Sequence, residues 1–284
     1  MQKLILGTVQ LGIDYGINNI NGKPAIEEAF QILNTAWVNN IHTLDTADAY
    51  GNAQDIIGKY HQRSGNRFTI NSKFKGTTPV EVQLDKILDE LQVDNLEVYF
   101  YHDFNDFISN ETLLTELNKL KAKGKASKIG LSVYENEQME MAINNSAIDV
   151  IQLPFNLFDN TNERGNLLTR AKENGKTIQV RSVYLQGLFF KAPGTLSPKL
   201  LPLNPYLVMI NEMAKDFNLS VEELAMAYVI QQPLIDEIII GVENSMQLLR
   251  NIELFTKDYS RDITEAVNNI KIPEEKLLYP KNWN

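Results

Sequence analysis

Four residues in the first 102 positions have the types and spacing to move a proton onto a carbonyl oxygen: Asp45, Tyr50, Lys73 and His102. A tyrosine with an ordinary pKa of about 10 is a poor acid and a poor base near neutrality. A lysine ammonium beside it is expected to favour the phenolate and lower that pKa, with an aspartate keeping the lysine charged and oriented. A neutral histidine can donate a hydrogen bond to the same oxygen and turn its lone pairs toward the acid. Such a set supplies the proton and leaves the hydride to another group. The 284-residue chain has no cysteine, which removes thiolates, disulfides and cysteine-rich metal sites. No metal-ligand spacing is found either, so a nicotinamide is the natural hydride donor.

Positioning these residues falls to a regular alternation of elements. Short apolar runs occur at residues 4–6, 42–44, 68–70, 96–101, 128–131, 150–153, 178–180 and 238–240. They are continuous rather than alternating, as in parallel strands covered on both faces. Helices with legible ends lie between them. Thr78, Pro79 and Glu81 read as an N-cap, a first-position proline and a capping-box partner, ahead of Leu84, Ile87, Leu88 and Leu91. Asn110 is placed to cap a helix carrying Leu113, Leu114, Leu117 and Leu120, and Gly124 to end it. Gly175 is placed to end the next, and Ser220 with Glu223 repeats the capping-box spacing.

Landmarks at successive strand ends keep a constant step: 28 residues from Asp45 to Lys73, 29 from Lys73 to His102 and 30 from His102 to Ser132. A strand–helix–strand unit needs about 30 residues. Eight such units without a linker predict one α/β domain over residues 1–284, a single (β/α)8 TIM barrel with a parallel eight-stranded core. A doubly wound open sheet competes, but the glycine pattern after the first strand lacks its middle glycine (Gly7-Thr8-Val9-Gln10-Leu11-Gly12). In a barrel the C-terminal strand ends form the active face, so strands two, three and four would bring the four residues to one rim. Pro193, Pro198, Pro202 and Pro205 mark a long surface connection that is placed to act as a lid.

Composition narrows the partners. Hydrophobic residues make up 43% and charged residues 22%, as in an ordinary globular core. A net charge of −9 argues against nucleic acid or an anionic membrane as partner. No apolar run approaches the roughly 18 residues of a membrane helix. The first residues turn polar too early for a secretory signal. A cytoplasmic protein, monomer or homodimer, acting on a small molecule is expected.

From end to end the chain resembles the bacterial aldo-keto reductases. Leu6-Gly7-Thr8, the segment Asp45-Thr46-Ala47-Asp48-Ala49-Tyr50-Gly51, Ser72-Lys73 and the strand ending in His102 carry the resemblance. It implies an NAD(P)H-dependent oxidoreductase that reduces an aldehyde, a ketone or a sugar-like carbonyl. Tyr50 would be the general acid, Lys73 and Asp45 would tune it, and His102 would orient the carbonyl. The resemblance also implies a cofactor site. Gly7 and Thr8 belong to it at the first strand, and Ser132 and Gln152 would hold the nicotinamide carboxamide. Arg181, Ser182, Leu185 and Gly187 would follow the pyrophosphate, while Gly241, Glu243, Asn244, Gln247 and Asn251 would hold the adenosine end. The loop 180–187 is similar to that of members found in sugar or surface-polysaccharide pathways.

Three positions depart from the family pattern. Val133 replaces an asparagine that commonly touches the carboxamide. Arg181 replaces an aromatic ring, and its charge can stack, engage an acidic substrate or meet the pyrophosphate. Glu243 stands where members preferring NADPH carry a cation for the 2′-phosphate, which tilts the choice between NADPH and NADH toward NADH. Arg250 nearby pulls the other way. Two further readings compete with the reductase: a nicotinamide-binding regulatory or sensor subunit with little turnover, and a barrel lyase using Lys73 as a Schiff-base nucleophile. His42, His61, Asp48 and Asp103 read as structural residues, and Tyr99 and Tyr101 as packing against helices. Trp283 is left open between a free tail and a cover for the pocket.

Overall fold

The computed structural model describes residues 3–75 and 79–283. Eight strands carry the fold: β1 (Lys3–Gly7), β2 (Thr43–Asp45), β3 (Thr69–Phe74), β4 (Leu96–Tyr101), β5 (Ala126–Ser132), β6 (Val150–Pro154), β7 (Thr177–Arg181) and β8 (Glu237–Gly241). Each pairs in parallel with its successor, and β8 pairs back onto β1 from Lys3↔Glu237 to Gly7↔Gly241. That closure makes a (β/α)8 barrel and excludes the open sheet. Among the described residues no helix is long and apolar enough to cross a membrane.

Strand alternation sorts β4 between two cores. Val98 and Phe100 join Val150 in a small cluster apart from the rest, whereas Tyr99 and Tyr101 enter the large cluster between strands and helices. Phe74 lies against both tyrosines, with ring centroids 4.6 and 4.9 Å away. The Phe100 ring fills the space in which a side chain at position 130 would stand, so Gly130 is required there. β3 runs on past its apolar stretch through the buried polar residues Asn71, Ser72 and Lys73. Polar side chains are tolerated there where they find partners, such as the Gln54 amide that donates to Ser72 Oγ at 2.8 Å.

Most helix boundaries follow the sequence. Asn110 accepts from the Thr112 N–H, Ser220 and Glu223 form the reciprocal capping box, and Gly124 and Gly175 take left-handed φ of 75° and 70° just past their helices. The helix Val80–Leu91 differs. Thr78 lies outside the described residues, Pro79 stands before the helix rather than within it, and Glu81 pairs with Lys123 (2.7 Å) and Lys125 (3.1 Å) instead of closing a box. The proline-rich connection is ordered as short 3-10 turns, Leu185–Phe190 and Pro198–Leu203, leading into the helix Asn204–Asp216. Trp283 packs on the core and donates its indole N–H to Leu277 O at 2.7 Å.

Candidate active site

The ends of β2, β3 and β4 bring the four proton-transfer residues together. Lys73 is almost wholly buried and its ammonium forms an ion pair with Asp45, whose side chain is equally enclosed. Lys73 Nζ also donates to Thr46 O at 3.1 Å and reaches the Tyr50 hydroxyl at 3.4 Å. The Tyr50 ring stands edge-on to His102 with centroids 5.7 Å apart. Thr8, at the end of β1, buttresses the aspartate by donating to the Asp45 carbonyl at 3.0 Å.

The electrostatics correct one expectation. Burial, reinforced by the Asp45 carboxylate, pushes the Tyr50 hydroxyl well above the ordinary tyrosine value, although Arg181 pulls it down. With its ammonium paired to Asp45, Lys73 does not offset that burial. The tyrosine is held protonated, the state an acid needs. Burial also lowers Lys73, against the opposing pull of Asp45. His102 is pushed down to about 3 by burial and then by the Lys73 and Arg181 charges, so it is neutral at physiological pH.

A run of amides extends from Asp45 across the barrel. Gln152 Nε2 donates to Asp45 Oδ1 at 2.8 Å and lies 3.1 Å from Gln179 Oε1. Gln179 Nε2 in turn donates to Glu237 Oε2 at 2.7 Å. A carboxylate can only accept, so Asp45 fixes which way the Gln152 amide faces and Glu237 fixes the Gln179 amide. Gln152 Oε1 is left buried without a partner.

Beside the cluster opens a cavity of about 930 Å³, lined at one end by Asp45, Tyr50, Tyr15 and Arg181 and at the other by Glu243, Gln247 and Asn251. Gly7, Thr8, Ser182, Gly187 and Gly241 line it between. Ser132, Gln152, Leu185 and Asn244 do not line it. Ser132, Gln152 and Leu185 are buried, and Asn244 caps the helix Ser245–Thr256 by accepting from Gln247 N at 2.9 Å. Lys73 and His102 are not among the lining residues; Lys73 is buried and His102 is partly exposed.

Several cavity residues carry no signal in the sequence pattern. Gln10, Tyr15 and Asn18 come from the stretch after β1 and line the wall. That stretch is tied to the loop after β7: Ile17 N donates to Gln186 O at 3.0 Å, and Gln186 Nε2 donates to Tyr15 OH at 2.6 Å. Ser182, Leu185 and Gln186 adopt positive φ of 62°, 45° and 54° in that loop. The only advance hint was the glycine-bearing opening Gly7–Gly12 next to them in sequence.

At the far end Glu28 Oε1 accepts from Ser245 N at 2.8 Å, so the amino end of Ser245–Thr256 already faces a carboxylate. Arg250 is engaged by Glu222 (3.2 Å), Glu223 (3.6 Å) and Glu253 (2.9 Å). The remaining sequence readings also find their places. His61 is fully buried and bridges Leu91 O and Phe68 N, while His42 contacts Trp37 O. Asp48 accepts from Gln83 and Lys75, and Asp103 caps the helix Phe104–Ser109.

A long cavity with protonated Tyr50 at one end suits a dinucleotide in size, since ligand pockets span roughly 300–1,000 Å³. Gln10 Oε1 supports the fit, because it belongs to the lining and is buried without a donor.

Comparison with known proteins gives the family and the same fold. Residues 3–272 match the sequence model of the Aldo/keto reductase family. The oxidoreductase YqkF of Bacillus subtilis is 25% identical over 281 residues, spanning 89% of this chain and 90% of that protein. The aldo-keto reductase YhdN of the same organism is 24% identical, over 78% of this chain and 76% of its own. Among solved structures, the aldo-keto reductase AKR11C1 of Bacillus halodurans superposes with a TM-score of 0.75 at 16% identity, covering 96% and 95% of the two chains. The glycerol dehydrogenase AKR11B4 of Gluconobacter oxydans gives 0.74 at 19%, covering 94% and 90%.

Proposed function

The chain belongs to the aldo/keto reductase family, a family of NAD(P)H-dependent carbonyl oxidoreductases, and on that premise we propose that it reduces an aldehyde, ketone or sugar-like carbonyl with Tyr50 as the acid. The observation that carries the reading is the Asp45–Lys73–Tyr50 cluster at the cavity wall. When bound, the nicotinamide supplies the hydride. Tyr50 donates its phenolic proton to the carbonyl oxygen, and Lys73 stabilises the oxygen charge left on the tyrosine. Asp45 keeps Lys73 cationic, and neutral His102 stands across the Tyr50 ring to receive the carbonyl oxygen in a fixed direction.

The acceptor left open at Gln10 would take an amide hydrogen of the carboxamide or adenine. The loop Leu185–Phe190 would face the diphosphate. Glu243, Glu28 and the carboxylates that hold Arg250 favour NADH, because a 2′-phosphate there would meet negative charge and find Arg250 already engaged. Lys73 is buried, paired with Asp45 and not among the residues that line the cavity, which suits a tuning residue rather than a nucleophile that must reach substrate.

Fluorescence titration with NADH and NADPH tests the cofactor half, and NADH is expected to bind at least ten times more tightly. Turnover of simple aldehydes by the wild type and by Tyr50→Phe tests the chemical half. The variant should bind NADH normally and lose about 1,000-fold in kcat, within the range of a general acid. Normal turnover by Tyr50→Phe would overturn the assignment.

A further inference from the structure

We propose that Arg181 is a receptor for an oxyanion on the substrate, so that the preferred substrates are carbonyl compounds carrying a carboxylate or a phosphate. This rests on the reductase reading and adds the substrate class to it.

Arg181 ends β7 and lines the cavity together with Tyr50 and Tyr15. Its guanidinium lies 4.3 Å over the Tyr134 ring, bonds with that neutral side chain and reaches Val133 O through Nη2 at 3.4 Å. Among the described residues no carboxylate pairs with it. A guanidinium offers five N–H donors, and a charge withdrawn from water is costly unless an anion or a full set of acceptors meets it. Arg164 shows the satisfied alternative in the same molecule, gripped twice by Asp159 at 2.7 and 2.8 Å and bonded to Asn136 at 2.6 Å. Arg181 is partly buried at the cavity wall and has no such partner.

The mounting is rigid. Tyr134 is packed edge-on against Tyr279 with centroids 5.3 Å apart, Lys281 Nζ lies 4.8 Å from its ring, and its carbonyl accepts from Arg164. The guanidinium therefore keeps its planar fork in one place, the geometry that matches a carboxylate or phosphate through paired bonds.

Charge is also unevenly distributed along the cavity. Glu28, Glu222 and Glu243 gather at the adenosine end, whereas Asp45 at the Tyr50 end is neutralised by Lys73. Arg181 is thus the uncompensated charge next to the acid. Tyr15 adds a donor there: its oxygen accepts from Gln186 and its own O–H remains for an acceptor. Both groups adjoin the tyrosine that protonates the carbonyl, which places the recognised anion a few atoms from the reacting carbon and on the substrate rather than on the cofactor diphosphate.

The test uses two matched pairs with NADH: 4-carboxybenzaldehyde against 4-nitrobenzaldehyde, and glyceraldehyde 3-phosphate against glyceraldehyde. Wild type should prefer the anionic member of at least one pair by about tenfold or more in kcat/KM, and the pair concerned tells carboxylate from phosphate. Arg181→Gln should lower kcat/KM for that anionic substrate by about 30- to 100-fold, the scale of a charge-assisted hydrogen bond. The neutral aldehydes share whatever part of the loss runs through Tyr50 or the cofactor, so the reading is the ratio: the preference for the anionic over the neutral member should fall by about tenfold or more. Arg181→Lys, which keeps the charge and loses the fork, should fall between, and it replaces the glutamine variant if that one does not fold.

Absence of preference in both pairs would overturn the proposal, as would an equal loss on anionic and neutral aldehydes. Weaker NADH binding by Arg181→Gln with the preference intact would assign the guanidinium to the diphosphate instead. If wild type reduces no aldehyde at all, the reductase reading fails separately. Calorimetric titration of the NADH-loaded protein with the first pair then decides: Arg181-dependent affinity for the carboxylate supports the receptor, and equal affinities refute it.

Discussion

Two buried ion pairs in this barrel are built to different ends. Arg164–Asp159 and Lys73–Asp45 are both withdrawn from solvent. Around Arg164 four of the five N–H donors are taken, by both Asp159 oxygens, the Asn136 side chain and the Tyr134 carbonyl. Around Lys73 the satisfaction is partial. The bond to Tyr50 is long at 3.4 Å, and Gln152 Oε1, His102 Nδ1, Asn71 Oδ1 and Thr46 Oγ1 are buried without partners. A structural pair closes its network, whereas the pair in the active site leaves atoms open for groups that arrive with the reaction.

Replacing each pair as a unit separates the two roles. The double variant Asp45→Asn with Lys73→Met removes both charges, and such replacements are often neutral for stability. It should melt close to wild type and lose about 1,000-fold or more in kcat with any aldehyde. Loss of fold with retained specific activity would erase the contrast. Arg164→Met alone strands Asp159 and unties Tyr134, and it should cost about 3–5 kcal/mol in a denaturation experiment. The molecules that remain folded should keep their kcat. A variant with wild-type stability would show that the network around Arg164 is dispensable.

Acid should reach the two regions differently. His102 has a folded value of about 3 against an ordinary 6.5, so the unfolded chain binds a proton that the folded chain refuses. Stability is therefore lost as pH falls from about 6.5 toward 3. His61, lowered by burial as well, adds to the same slope. Melting temperature measured between pH 7 and 4 should fall less steeply for His102→Gln than for wild type. Equal slopes would mean that His102 titrates normally in the folded protein. By the same reasoning, kcat/KM for reduction should show no inflection near pH 6.5.

The sequence carried the barrel because each strand is a continuous apolar run, and it carried the four catalytic candidates because each falls at one strand end. A residue such as Tyr15 is not legible in the sequence, since it is held at the cavity by a contact with Gln186, 171 positions away, that no period encodes. The direction of the Tyr50 shift was misjudged for a related reason. Residue types disclose that Lys73 is near, whereas burial and the prior claim of Asp45 on that lysine emerge only from packing. The acidity around Arg250 also needed three dimensions, because Glu222 and Glu223 approach it from another helix. Local chemistry is legible in sequence, and which charges are already taken is not.

The smallest effect should come from the far end of the amide run, at the partly exposed Glu237. Its carboxylate forces Gln179 to present N–H, which turns Gln179 Oε1 to Gln152, whose Nε2 donates to Asp45. Asp45 still fixes Gln152 from the other end, but Glu237→Gln can present either atom, so Gln179 turns its own N–H toward Gln152 for part of the time and the donor to Asp45 is held less firmly. A single neutral hydrogen bond contributes about 0.5–1.5 kcal/mol, which corresponds to a fall of roughly 3- to 10-fold in kcat/KM. The melting temperature should move by only a few degrees, and Glu237→Asp, which restores an obligate acceptor, should recover part of the rate. If Glu237→Gln is kinetically silent, the ion pair with Lys73 alone fixes Asp45, and the amides belong with Arg164 on the structural side of the comparison.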